Sequence, residues 1–116
     1  MNAVLTASKV PVSPLASAGR GSHEITLRQT FILKNRRGLH FRPAALLVTS
    51  LSRFTCRVNV ESCGVVVNAR SIFELMCLAA SCGAKLNFVC TGNDAPAAIA
   101  AIQGLFATNF AAAYAE

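Results

Sequence analysis

The amino-acid sequence predicts a two-layer α+β sandwich, one open sheet with helices on a single face, and three observations carry that prediction. Stretches that alternate apolar and polar residues read as strands, and stretches with apolar residues three and four apart read as helices. The two kinds follow one another in the order β-α-β-β-α-β-α. One tight turn joins two consecutive strands while the other connections run through helices, which puts the helices on one face of a single sheet. Periodicity leaves the strand order open, because ferredoxin-like and other split β-α-β arrangements share this pattern.

A chain of 116 residues suits one domain, and with 53% hydrophobic and 14% charged residues it can bury enough surface to offset its ordering entropy. Residues 1–23 are rich in Ala, Ser, Val and Pro, end in Gly19-Arg20-Gly21-Ser22 and hold no sustained period, so a flexible leader is expected ahead of a folded domain at 24–116. The leader has neither the compact apolar run of a signal peptide nor the apolar length that spans a bilayer. Membrane insertion is not expected.

The first strand is predicted over Ile25 to Leu33, where Ile25, Leu27, Phe31 and Leu33 alternate with polar residues despite Gln29. After the polar loop Lys34-Asn35-Arg36-Arg37-Gly38, a first helix begins near Phe41 and runs to about Ser52, with Ala44, Leu47, Val48 and Leu51 on one face. Pro43 fits its first turn, where an amide has no internal partner to lose. Cys56, Val58 and Val60 mark the second strand, and Ser62-Cys63-Gly64 turns into the third at Val65-Val66-Val67. Ser71-Ile72-Phe73-Glu74 has the form of a capping box for a short second helix, with Gly83 as its stop. Leu86, Phe88 and Cys90 define a fourth strand. Asp94 is placed to cap a last helix with Pro96 in its first turn, and Ile99, Ile102, Phe106 and Phe110 form its apolar stripe.

Cys56, Cys63, Cys77, Cys82 and Cys90 form an odd set with no CxxC pair and no histidine at zinc-ligand spacing. They are expected to be small buried hydrophobes in a reduced, cytoplasmic setting, and neither a metal nor a cofactor is expected. The net charge of +6 favours an anionic partner, whether nucleic acid, an acidic protein face or a phosphorylated ligand.

Gly38-Leu39-His40-Phe41-Arg42-Pro43-Ala44-Ala45 is the most informative segment, because it sets a histidine where a glycine-containing loop meets a helix N-terminus. Free amides and the positive end of the helix dipole favour negative charge there. Arg42 adds a guanidinium able to hold phosphate oxygens in a fork. A neutral imidazole titrating near pH 7 offers one bare nitrogen that can attack phosphorus, giving a labile phosphoramidate. The plain structural alternative is a turn histidine beside a solvated arginine. Lys34, Arg36 and Arg37 add to the cluster, as acidic-partner contacts or as a solvated basic loop.

GLHFRPAA resembles the active-site segment of the HPr family, the histidine-containing phosphocarriers of the bacterial sugar phosphotransferase system. His40 matches the phosphorylated histidine, Arg42 the site arginine and Pro43 the early-helix proline. The similarity runs collinearly over about residues 25 to 112, including the turn at Gly64 and the segment Ala69-Arg70-Ser71-Ile72. The resemblance implies four antiparallel strands in the order 1-4-2-3 under three helices. It also implies a phosphoryl group received on Nδ1 of His40 from the phosphoenolpyruvate-dependent first enzyme and passed to sugar-specific permease components, by a carrier expected to act as a monomer. Phe41 departs from the small residue common after the family's histidine, which bears on partner choice and on exposure of the site. The leader and the basic balance are further departures.

Ser71 is explained by capping alone. In similar proteins of some bacteria the serine here is phosphorylated by an ATP-dependent kinase, so the resemblance makes Ser71 a regulatory candidate with a serine kinase and phosphatase as partners. A phosphate there would weaken docking to an acidic partner by repulsion. Ile72, Phe73 and Met76 are expected to form an apolar docking patch, the alternative being core packing. Two rival classes remain at this point: a purely regulatory relative that does not serve sugar uptake, and a small basic nucleic-acid-binding module. The four strands lack the clustered aromatics that stack bases, so nucleic acid is not the expected partner.

Overall fold

The computed structural model describes residues 24–114; the predicted leader at residues 1–23 lies outside them. The elements are β1 (Thr26–Ile32), α1 (Phe41–Leu51), β2 (Arg57–Ser62), β3 (Val65–Asn68), α2 (Ile72–Cys77), β4 (Lys85–Thr91), α3 (Ala95–Ala107) and a closing 3₁₀ turn, Ala111–Tyr114. The strands form one antiparallel sheet in the order β1-β4-β2-β3, and the three helices pack on its inner face. Among the described residues no helix is long and apolar enough to cross a membrane.

The pleat sorts the strands into two faces because successive side chains point to opposite sides. In register, Gln29, Phe88, Val60 and Val67 form one inner row and Leu27, Cys90 and Val58 another. Thr30, Asn87, Glu61 and Val66 form an outer row. The Glu61 carboxylate accepts from the side-chain amide of Asn87 and from the amide of Gly64, which together hold its pKa below the ordinary range. The outer face of the strands thus carries polar and β-branched side chains. Cys63 and Gly64, with φ of 51° and 83°, supply the two left-handed residues of the β2–β3 turn.

The core is filled by Leu33, Leu47, Leu51, Leu75, Leu86, Ile102 and the valines of β2. Phe31, Phe88, Phe106 and Phe110 add an aromatic cluster in which Phe31 stacks on Phe106 at 4.8 Å and Phe110 meets Phe106 edge-on at 4.9 Å. Arg70 ties the end of α1 to the loop that follows: its guanidinium donates to the carbonyls of Leu51, Phe54 and Cys56 at 2.7–2.9 Å.

Several local expectations are corrected. β1 is shorter than the predicted Ile25 to Leu33, and buried Leu33 instead donates its amide to Ala84. The second helix stops at Ala79, which takes the left-handed conformation at φ 50°, four residues before Gly83. Phe110 lies past the end of α3, itself left-handed at φ 60°, yet still reaches the core. Of the five cysteines expected inside, only Cys56 and Cys90 are buried, while Cys63, Cys77 and Cys82 are exposed on turns and on α2. Burial pushes the Cys90 thiol up to about 12 and raises that of Cys56, so both stay protonated and inert.

Candidate functional site

The loop ahead of α1 is held by Gly38. Its φ of 75° suits glycine, and a Cβ there would stand 2.4 Å from the Ala80 carbonyl oxygen, so no other residue fits without moving the backbone. The same carbonyl accepts from Leu39 at 2.9 Å, and Gly38 donates to Asn35 at 2.9 Å. Buried Leu39 and Pro43 then anchor the chain on either side of His40.

His40 is the N-cap residue of α1, with an extended backbone (φ −101°, ψ −166°) and no capping bond from its side chain. Its carbonyl accepts from Ala44 at 3.1 Å, the first bond of the helix. Pro43 has no N–H to offer, so the free donors of the first turn are the amides of Phe41 and Arg42. The ring is half-buried, and its Nε2 lies 2.7 Å from the hydroxyl of Tyr114. Nδ1 has no hydrogen-bond partner among the described residues.

Around the ring lies an open depression lined by Arg36, Arg37, Phe41, Arg42 and Tyr114. Three arginines and the start of a helix thus border one shallow space, a setting of positive charge that suits an anion. Lys34, grouped with these arginines in the sequence, does not line it. Phe41 is 58% exposed and forms part of the wall without sealing it. The Arg42 guanidinium sits 5.7 Å over the Tyr114 ring, a cation–π contact that limits its swing.

The other predicted residues lie apart from this depression. Ser71 is the N-cap of α2 and its Oγ accepts from the Glu74 amide at 3.2 Å. Glu74 does not return the bond to Ser71, as a capping box would; its carboxylate accepts from the Asn68 amide at 2.8 Å. Phe73 is 83% and Met76 41% exposed, and Ile72 is half-buried against the core, so Phe73 is not a core residue. Asp94 stands at the start of α3 without capping it; its carboxylate accepts from the amides of Thr55 (2.7 Å) and Cys56 (2.9 Å).

Sequence reasoning missed Tyr114 and the clamp made by Arg70. Tyr114 is the only tyrosine in the chain and lies 74 positions from His40, with no local pattern to connect the two.

A 1-4-2-3 antiparallel sheet under three helices, with a histidine opening the first helix, defines the class of small phosphocarrier domains. A family profile described as PTS HPr component phosphorylation site matches residues 27–108. The chain belongs to that family, the HPr phosphocarriers of the phosphotransferase system. It is 43% identical over 82 residues to the phosphocarrier protein HPr of Treponema pallidum, covering 71% of this chain and 93% of that one. It is 34% identical over 76 residues to a multiphosphoryl transfer protein of Haemophilus influenzae, 63% of this chain but 15% of that longer protein. The crystal structure of HPr-C-His from Thermoanaerobacter tengcongensis superposes with a TM-score of 0.70 at 38% identity, over 72% of this chain and 94% of that one.

Proposed function

We propose that His40 is the phosphoryl carrier. Its Nδ1 receives the group from the phosphoenolpyruvate-dependent first enzyme of the phosphotransferase system and yields it to sugar-specific permease components. The observation that carries this reading is an imidazole with an unpartnered Nδ1 at a helix start whose two free amides are uncapped. Transferred to Nδ1, the phosphoryl oxygens would be held by the amides of Phe41 and Arg42 and by the Arg42 guanidinium. An open depression suits a carrier, which must hold the group without trapping it and leave both faces of the exchange to its partners. No cofactor enters this chemistry, and a monomer in the cytoplasm is the working state we assign.

Ser71 is proposed as a regulatory phosphorylation site for a serine kinase and its phosphatase. Ser71 is half-exposed and its Oγ accepts one bond, so a phosphate there adds charge beside the apolar patch without unmaking the fold. Ile72, Phe73 and Met76 are proposed to dock partners, supported by the exposure of Phe73 and Met76 on a helix of six residues.

Incubation with phosphoenolpyruvate and the donor enzyme tests the carrier. The unaltered chain should take an acid-labile label and His40→Ala none, with circular dichroism unchanged; a label persisting on that variant overturns the assignment. Transfer onward to a permease component separates a transport role from a purely regulatory one. Mass spectrometry after ATP and the kinase should find acid-stable phosphate on Ser71.

A further inference from the structure

The C-terminal segment returns to the site by a built path. After α3 the chain passes through two left-handed residues, Asn109 (φ 52°) and Phe110 (φ 60°), which reverse its direction. Phe110 is fully buried against Phe106 and fixes the turn to the core. The side-chain amide of Asn35, in the loop ahead of His40, donates to the Asn109 carbonyl at 2.9 Å and ties the turn to the site. The 3₁₀ turn that follows then brings the Tyr114 hydroxyl to 2.7 Å from Nε2 of His40 and its ring beneath the Arg42 guanidinium.

We propose that Tyr114 is a positioning residue for His40, its phenolic oxygen accepting the Nε2 proton so that the neutral ring keeps its lone pair on Nδ1. This inference rests on the carrier reading. A phenol can accept or donate. If it donated to Nε2, the proton would stand on Nδ1, and that nitrogen could not attack. With Nε2–H donating to Tyr114, Nδ1 keeps its lone pair on a ring carried by the N-cap residue, and the positive end of the helix dipole favours a lone pair over a proton there.

The transfer then needs no proton moved on the ring. The Nδ1 lone pair forms the bond to phosphorus as the donor's bond to phosphorus breaks, and that bond's electron pair leaves with the donor. The Nε2 proton stays in place, held by the Tyr114 oxygen, while the ring gains positive charge. Return of the group to an acceptor reverses these changes.

Nitrogen-detected NMR of the His40 ring above its titration range, assigned by loss of the signals in His40→Ala, tests the tautomer without any donor. The unaltered chain should show Nε2 protonated and Nδ1 bare. Tyr114→Phe keeps the ring beneath Arg42 and removes only the hydroxyl. It should lower the Nε2–H share and slow phosphorylation roughly fivefold, the scale of one neutral hydrogen bond, with the unfolding midpoint unchanged. A proton on Nδ1 in the unaltered chain, or a Tyr114→Phe variant with the same tautomer ratio and rate, overturns the inference. If the tautomer is as expected but His40 of the unaltered chain takes no label, the carrier reading fails and the transfer role of Tyr114 fails with it.

Discussion

The starts of α1 and α2 both open from an N-cap residue with extended backbone and are finished in opposite ways. At α2 the Ser71 hydroxyl accepts from the Glu74 amide, and the turn is closed by its own sequence. At α1 the residue in the same structural position is His40, which makes no capping bond and leaves the amides of Phe41 and Arg42 open. An unfilled N-cap forgoes about 1 kcal/mol of stability. The first helix thus forgoes a local gain that the second takes, and the two amides it leaves open are the donors the proposed transfer would use. The start of α3 is a third case, since Asp94 stands at the cap position but turns its carboxylate to Thr55 and Cys56, the two residues ahead of β2.

The sharpest way to break the comparison is to disturb what holds the open end in place. Gly38→Ala forces a side chain at φ 75° into the Ala80 carbonyl, and unfolding in urea should show a loss of roughly 3 kcal/mol from combined strain and overpacking. A loss under 1 kcal/mol would mean the loop adapts freely and the geometry of the open end is not fixed by this contact.

Exchanging the two caps gives a smaller effect of opposite sign at each helix. Ser71→Ala should cost about 1 kcal/mol, whereas His40→Ser should gain about the same relative to His40→Ala, since the extended backbone at 40 already suits a hydroxyl cap. Both are read from denaturant midpoints at constant slope. Equal stability of the two variants at position 40 would show that the first turn of α1 is not short of an acceptor.

The smallest effect lies at α3 and depends on pH. Hydrogen bonds from the Thr55 amide first, then from Cys56 and the Thr55 hydroxyl, hold the Asp94 carboxyl below the ordinary range. A group whose folded pKa is lowered contributes stability above its unfolded pKa and loses it as pH falls through the folded value. Asp94→Asn should therefore melt below the unaltered chain at neutral pH, and the gap should narrow below about pH 4. A gap that stays constant into acid would assign the effect to shape rather than charge.

The element order was legible because each element carries its own period. Val58 and Val60 alternate into the core, and Ala44, Leu47 and Leu51 share a helical face, as their spacing requires. The errors gather at polar side chains and chain reversals. Glu74 and Asp94 are acceptors that local spacing assigns to the nearest helix end, but each serves an amide that the folded chain brings closer. Ala79 could end α2 in a left-handed conformation, leaving Gly83 to the next loop, because packing rather than residue preference chose the point of reversal. Phe73, apolar in a helix of six residues, carries no periodicity long enough to say which way it points.

By itself the sequence determined the strands, the helices and the histidine at a helix start beside an arginine, all of which depend on neighbours within a few positions. Tertiary structure alone decided what surrounds that histidine: the Ala80 carbonyl against Gly38, the three arginines that line one depression, and the Tyr114 hydroxyl on Nε2. Contacts between residues tens of positions apart follow from how the buried faces pack, and no local pattern encodes where that packing delivers a polar group.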